Sequence, residues 1–258
     1  MKRERRPTKR GGGVVLRGAG RIAGAVLVAA VAVTGCEVTT GTGTGGGDAG
    51  PEPQGEAGSA LAAVGTLTVK GRAPKTGYSR ERFGSAWADT DSNSCDTRDD
   101  ILKRDLEGVR YSGGGDCKVV SGTLAPDPYS GKDVSFTRGR SQVDIDHLVA
   151  LSDAWQKGAF QWEPGKRIAL ANDPLNLLAV GATPNRSKGD GDTATWLPPN
   201  KKYRCAYVAG QVAVKKKYGL WVTAAERDAM KKVLGGCPDQ KLPTGGNSTA
   251  APPRFHAR

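Results

Sequence analysis

Residues 141–149, SQVDIDHLV, and residues 175–190, LNLLAVGATPNRSKGD, decide how the middle of this chain is read. The first alternates apolar and polar side chains up to a histidine, the period of a strand, and places two aspartates ahead of His147. The second opens with LNLLAV, an apolar run of strand length, and passes directly into Thr183-Pro184, the form of an N-cap followed by a proline in the first helical turn. The order is strand, strand, helix. His147 is one of only two histidines, and the other, His256, lies in the last three residues.

Between the two stretches, LVALSDAWQKGAF has the length and composition of a helix from Leu148 to Phe160. KRIALAN is a second helical piece, stopped at Asp173-Pro174 because a residue before proline avoids the helical region. Upstream, GTLTVKGRAPKTGYSRERFGSAW reads as a short alternating strand and then turns, with Tyr78, Phe83 and Trp87 as core pieces. Thr97 to Leu106 reads as a short helix with acids in its first turn, and strands are expected at Lys118–Leu124 and Val134–Phe136. Downstream, a helix from about Lys201 to Tyr218 places Tyr203, Tyr207, Gln211, Val214 and Tyr218 near one face. Thr223-Ala-Ala-Glu226 is a capping box that opens a partner helix. The triple lysine at 215–217 reads as a solvated face.

The two ends differ from this middle. MKRERRPTKRGGGVVLRGAGR followed by IAGAVLVAAVAV has a basic start and an apolar run too short to span a bilayer, the pattern of a secretory signal over residues 1–35. Val33-Thr34-Gly35-Cys36 has the form of a lipobox, with Cys36 as the lipidated residue, and Ala30-Val31-Ala32 is the rival cleavage site. Residues 36–65 are rich in Gly, Thr, Pro and Ala and read as a flexible tether, and residues 238–258 read as a disordered tail. One domain is left, residues 66–237, of the α+β class: a small strand-strand-helix core with a helical insertion, a strand-rich N-terminal extension and a C-terminal helical hairpin.

Setting Cys36 aside leaves Cys95, Cys117, Cys205 and Cys237, an even set for an oxidising compartment. Three pairings are open, and the sequence-local one, Cys95 with Cys117 and Cys205 with Cys237, is the easiest to close. A zinc site is the rival use, although C-x-x-C spacing is absent. Within residues 66–237, 27 basic side chains face 20 acidic ones, a net of +7, which favours an anionic partner such as nucleic acid or a phospholipid surface.

Asp144-Ile-Asp146-His147, Asp173-Pro-Leu-Asn176 and Asn185-Arg186-Ser-Lys188 together resemble the HNH nucleases, whose ββα-metal core has this order. The chain is similar to the secreted HNH-type proteins of Gram-positive bacteria in the DUF1524-like group. The motifs fall within about residues 142–199, and GYSRERFG, CDTRDDILKRDL and NKKYRCAYVAGQVAVKKKYGLWVT extend the similarity over most of the domain. It departs from the name-giving pattern in ending on asparagine and in carrying a long insertion after His147.

The resemblance implies metal-dependent hydrolysis of nucleic-acid phosphodiester bonds, DNA in preference to RNA, by a secreted endonuclease anchored to the membrane where Cys36 is lipidated. His147 would be the base that activates water, and Asp146 and Asn185 the ligands of one divalent ion, Mg²⁺ or Mn²⁺, which takes oxygen donors. Asn176 would fix the loop that carries the histidine. Lys188 would support catalysis at the phosphate, with Arg186 and Arg98 as further phosphate contacts and Asp144 behind the metal ligands. In a regular strand Asp146 and His147 face opposite ways, so the strand is expected to end or twist there. Two other readings share these residues: a surface module that binds nucleic acid or an envelope partner without cutting it, and a hydrolase of another phosphodiester.

Overall fold

In the computed structural model, residues 55–140 and 142–257 are described. The signal segment, Cys36 and most of the tether lie outside the described residues.

The described chain is α+β, with two small antiparallel sheets set among helices. Helix α1 (Ala60–Val64) starts at Ser59, whose hydroxyl accepts from the Ala62 amide at 3.2 Å. Helix α2 (Thr97–Asp105) starts at Asp96, whose carboxylate accepts from the Asp99 amide at 2.8 Å. Strands β1 (Glu107–Tyr111), β2 (Val119–Leu124) and β3 (Val134–Thr137) form one sheet in the order β1-β2-β3. The second sheet pairs β4 (Val143–His147) with β5 (Leu177–Gly181), in register from Val143 opposite Gly181 to His147 opposite Leu177. Between these strands lie α3 (Leu151–Gln156), a 3₁₀ turn at Ala159–Gln161, and α4 (Pro164–Ala171). Helix α5 (Ala182–Lys188) leaves β5 without an intervening loop. Helices α6 (Arg204–Tyr218) and α7 (Ala224–Gly235) form the C-terminal hairpin.

The apolar side chains explain the assembly. Ile101 and Leu102 of α2 pack with Val119, Leu124 and Phe136 of the larger sheet and with Val143, Ile145, Leu177 and Ala179 of the smaller one. Leu61 and Val64 of α1 join Tyr207, Val208 and Val212 of α6 and Met230 and Leu234 of α7. Phe83, Trp155, Leu170 and Tyr218 form a third cluster around α3 and α4. Disulfides Cys95–Cys117 and Cys205–Cys237, the sequence-local pairs, tie the start of α2 to the β1–β2 hairpin and the start of α6 to the end of α7. Each closed loop contributes about 3 kcal/mol in a chain-entropy account.

Several expectations are corrected. The tether stops short of residue 65, because the apolar run Ala60–Val64 is helical and buried. The tail is held as well: Ala60 N donates to Gln240 O at 2.8 Å, and Ser59 and Lys241 bridge as strand residues. Asn247 N donates to Asp173 Oδ1 at 3.1 Å, and Ala251 N to Gly165 O at 3.1 Å. Backbone hydrogen bonds order a tail whose composition offers little to bury. The expected strand near Val69 is reduced to one bridge with Val222. Strand β1, with its glycine and exposed side chains, had no alternation to announce it.

The triple lysine is not a solvated face throughout: Lys216 is exposed, but its neighbours turn inward. Lys215 is fully buried and pairs with Asp153 at 3.1 Å and Glu226 at 2.9 Å. Lys157, also fully buried, meets Asp153 at 2.7 Å, Asp192 at 2.8 Å and Glu226 at 2.5 Å. Arg72 adds contacts to Asp153 and Asp192. Three cations and three carboxylates thus lock α3, α6, α7 and the loop after α5 together.

Candidate active site

Strand alternation divides the site into two sides. Asp144 and Asp146 point from β4 toward α5, where Asn185 and Lys188, three residues apart, share a helical face. The α5 start is set by Asp127, a buried carboxylate that accepts from the Gly181 amide at 2.9 Å. A Cβ on Gly181 would come within 2.8 Å of Asp127 Oδ2, so the tight strand-to-helix turn needs glycine there. The helix consequently begins at Ala182, one residue before the expected Thr183 cap, and Asn185 is its fourth residue.

On this side Lys188 Nζ donates to Asp146 Oδ1 at 2.9 Å and to the His147 carbonyl at 2.7 Å. Its side chain is fully buried, so it is no surface charge. The other oxygen of Asp146 accepts from Tyr129 OH at 2.5 Å. Burial and the adjacent Asp146 raise the Tyr129 phenol well above its ordinary value, which keeps it a donor. Asn185 Nδ2 donates to Asp144 Oδ2 at 3.2 Å, and Arg186, 63 % exposed at its side chain, lies 4.0 Å from the same oxygen. Asp146 therefore bonds to Lys188 and Tyr129, whereas Asn185 bonds to Asp144. Among the described residues no group of three or more His, Cys, Asp or Glu could hold a metal ion.

His147 points the opposite way as the last residue of β4, still paired with Leu177, so the strand ends on the histidine itself and Asp146 and His147 face opposite sides. Its ring stacks on Trp87, with centroids 6.4 Å apart and planes 13° from parallel. Nε2 lies 2.9 Å from the Ala171 carbonyl, which can only accept, so Nε2 carries the hydrogen and Nδ1 keeps its lone pair. Burial depresses the His147 pKa to about 3, against the opposing Ala171 bond and with help from the Arg80 and Lys188 charges. The ring is neutral at neutral pH. It lines a cavity of about 350 Å³ together with Arg80, Phe83, Trp87, Leu151 and Asn172.

Asn176 holds the chain that follows the histidine. Its Oδ1 accepts from Val149 N at 2.9 Å, its Nδ2 reaches the carbonyls of Val149 and Leu170, and its own carbonyl accepts from Leu148 N at 2.8 Å. The insertion is thereby stitched to both strands of the small sheet. The Arg98 guanidinium lies 5.8 Å from the Trp87 ring centre, and Arg98 lines a separate groove with Arg138, Arg140 and Asp144.

Four supporting residues had no signal in the sequence motifs: Tyr129, Asp127, Asn172 and the contact of Trp87 with His147. Trp87 carries one trace of its role. Its φ of 60° is rare for a bulky residue, a strain that marks sites where the surroundings fix a side chain.

The profile of the family described as GmrSD restriction endonucleases, C-terminal domain, matches residues 96–233, from the cap of α2 through most of α7. A protein of Arthroderma benhamiae, named only as an uncharacterized secreted protein, is 39 % identical over 183 residues, which span 70 % of this chain and 86 % of that protein. No solved structure matches. The family match covers β4, β5, α5 and every candidate residue from Arg98 to Lys188, and on it the chain belongs to the family of the C-terminal domain of GmrSD restriction endonucleases.

Proposed function

We propose that this protein is an HNH-type, metal-dependent endonuclease that hydrolyses DNA, in preference to RNA, outside the cytoplasm. The observation that carries the reading is His147: a neutral imidazole pinned at Nε2 by the Ala171 carbonyl, keeping an acceptor nitrogen beside a cavity, on a strand-strand-helix unit. Nδ1 takes the proton of an attacking water. Burial makes the ring a weak base, and the negative charge of an approaching phosphodiester acts in the opposite direction. Asn176 positions the histidine by fixing the residues after it.

The donors suit a hard ion. Asp146 and Asn185 offer a carboxylate and an amide oxygen, and Mg²⁺ commonly takes one or two protein carboxylates and keeps several waters. Asp146 is buried and already requires a cation, a need met in the structure by the Lys188 ammonium. A metal held there would supply charge neutralisation at the phosphate. Lys188, relieved of neutralising Asp146, would then offer its charge to the phosphate. Asp144 orients Asn185. The basic, apolar leader, two disulfides and a secreted relative support action outside the cytoplasm. A lipid on Cys36 would tether the protein to the membrane, and the mass of the mature N-terminus tests that.

The Asp146–Lys188 ion pair favours a second reading, a module that holds nucleic acid without cutting, because the pair fills the metal position with a protein cation. Plasmid nicking separates the two. Wild type with Mg²⁺ or Mn²⁺ is expected to nick, and EDTA or His147→Ala is expected to abolish nicking. Binding without nicking by a folded, oxidised wild type in either metal would favour the module.

A further inference from the structure

The cavity of about 350 Å³ beside His147 lies within the range of about 300–1,000 Å³ usual for small-molecule sites. Its lining is sorted by exposure. Buried Phe83 and Leu151 back it, half-buried Trp87 gives it an aromatic wall, and Arg80, Ser85 and Ala86 are exposed on its rim. An apolar interior with one aromatic wall suits a flat ring better than a bare phosphate, and the rim supplies a cation for an anion attached to that ring.

Trp87 is fixed in place for such a contact. The backbone there, with φ 60°, is held by the start of α2: Thr97 N donates to the Trp87 carbonyl at 3.3 Å, and Thr97 Oγ1 to the Ala88 carbonyl at 2.6 Å. The same indole has the His147 ring parallel to it and the Arg98 guanidinium 5.8 Å from its centre. His147 lines the cavity and Arg98 the arginine groove, so cavity and groove are joined at Trp87. Arg80 makes no hydrogen bond or ion pair among the described residues, which leaves its charge for an anion.

We propose that this cavity is a nucleoside subsite: it takes the sugar and base attached to the phosphate that reaches His147, with the base against the Trp87 ring and the phosphate charge against Arg80. The proposal rests on the nuclease reading above, because a phosphodiester brought to His147 must place its neighbouring nucleoside in the space that His147 lines. No bond forms or breaks in the subsite. Every base has a flat face, so stacking on one indole holds a nucleotide without selecting among sequences. A base held in a duplex leaves its stack to enter.

The test is calorimetric titration of the full chain, in EDTA so that cleavage does not intervene, with three probes: deoxyadenosine 3′,5′-bisphosphate, the same sugar bisphosphate without its base, and inorganic phosphate. Wild type is expected to bind the nucleotide about 10-fold more tightly than the base-free sugar. Trp87→Leu is expected to remove that difference, and Arg80→Gln to weaken both sugar bisphosphates about 10-fold. Equal affinity of wild type for nucleotide and base-free sugar overturns the proposal, as does binding of no probe. A base preference that survives in Trp87→Leu, or affinities unchanged in Arg80→Gln, also overturns it, because the nucleotide then sits elsewhere. If Trp87→Leu does not fold, a crystal structure of the wild type with the nucleotide decides: a base against Trp87 supports the proposal, and a base anywhere else overturns it. Plasmid nicking is read separately. Wild type that prefers the nucleotide yet does not nick in Mg²⁺ or Mn²⁺ keeps the subsite and loses the nuclease reading, whereas nicking without the preference does the reverse.

Discussion

At the scale of single residues, Asp146 is the pivot. Its two oxygens are bonded to Lys188 and Tyr129, and its side chain is only 8 % exposed. Removing one partner of a buried ion pair strands the other charge, at a cost of about 3–5 kcal/mol. Lys188→Met keeps length and apolar bulk but no charge, so denaturant unfolding at neutral pH is expected to show a loss of that size. Tyr129→Phe leaves the ion pair and removes one hydrogen bond to a charged group, a smaller loss of about 1.5–3 kcal/mol. If Asp146 is a metal ligand, the two variants also separate in Mn²⁺. The ion supplies the cation that Lys188→Met lacks, so added Mn²⁺ should raise the unfolding midpoint of Lys188→Met more than that of wild type. Equal shifts would take Asp146 out of the metal site.

At the scale of elements, the helices are held to the core by charges as well as by apolar faces. Burial works to protonate Asp153 and Asp192, but the Lys215, Lys157 and Arg72 charges at Asp153, and the Lys157 and Arg72 charges at Asp192, outweigh it and hold both carboxyls below the ordinary range. Burial also works to discharge Lys215, and Asp153 and Glu226 outweigh that and raise it. A lowered carboxyl contributes stability that is present above its unfolded value and lost as pH falls, whereas a raised lysine contributes stability lost as pH rises through its folded value. Urea midpoints should therefore be flat between about pH 7 and pH 10 and fall on both sides, the acid side starting near the ordinary histidine value because buried His147 stays neutral while its unfolded counterpart takes up a proton. Glu226→Gln should lose about 3–5 kcal/mol at pH 7, and a midpoint equal to wild type would show the network to be ornamental. This network also marks where the sequence stops being readable. Strand period, proline stops and the Thr223 cap are local signals, and the strand-strand-helix unit with His147, Asn185 and Lys188 follows from them. Glu226 fits a capping box, yet its carboxylate meets Lys157 and Lys215. Lys215 stands in a run of lysines whose buried member is chosen by acids 62 residues upstream and 11 residues downstream. Tyr129 and Asp127 are likewise defined by partners distant in sequence, Asp146 and Gly181, which no local pattern records.

At the scale of the whole molecule, the net +7 of residues 66–237 is carried by side chains other than Lys157, Lys188 and Lys215, which are paired inside with Asp146, Asp153, Asp192 and Glu226. The charge that can meet a polyanion lies elsewhere. A groove of about 360 Å³ is lined by Arg98, Arg138 and Arg140 and runs to Asp144, which also contacts Asn185. Arg138 is committed to Asp99 and to the Val119 carbonyl, which leaves Arg98 and Arg140 as the side chains best placed to follow a phosphate backbone toward the site. Such contacts neutralise phosphates and release counterions without reading bases. Replacing both Arg98 and Arg140 with alanine should therefore weaken DNA binding for all sequences alike. The slope of log affinity against log salt should also become shallower by nearly two, about 0.9 for each duplex phosphate that is no longer neutralised. Filter binding or fluorescence anisotropy across a salt series, in EDTA so that cleavage does not intervene, measures both quantities. Weaker binding with an unchanged slope would mean that the two arginines shape the protein rather than touch phosphate, and the path of the strand would then have to be sought on the Arg80 side of His147, where the cavity opens.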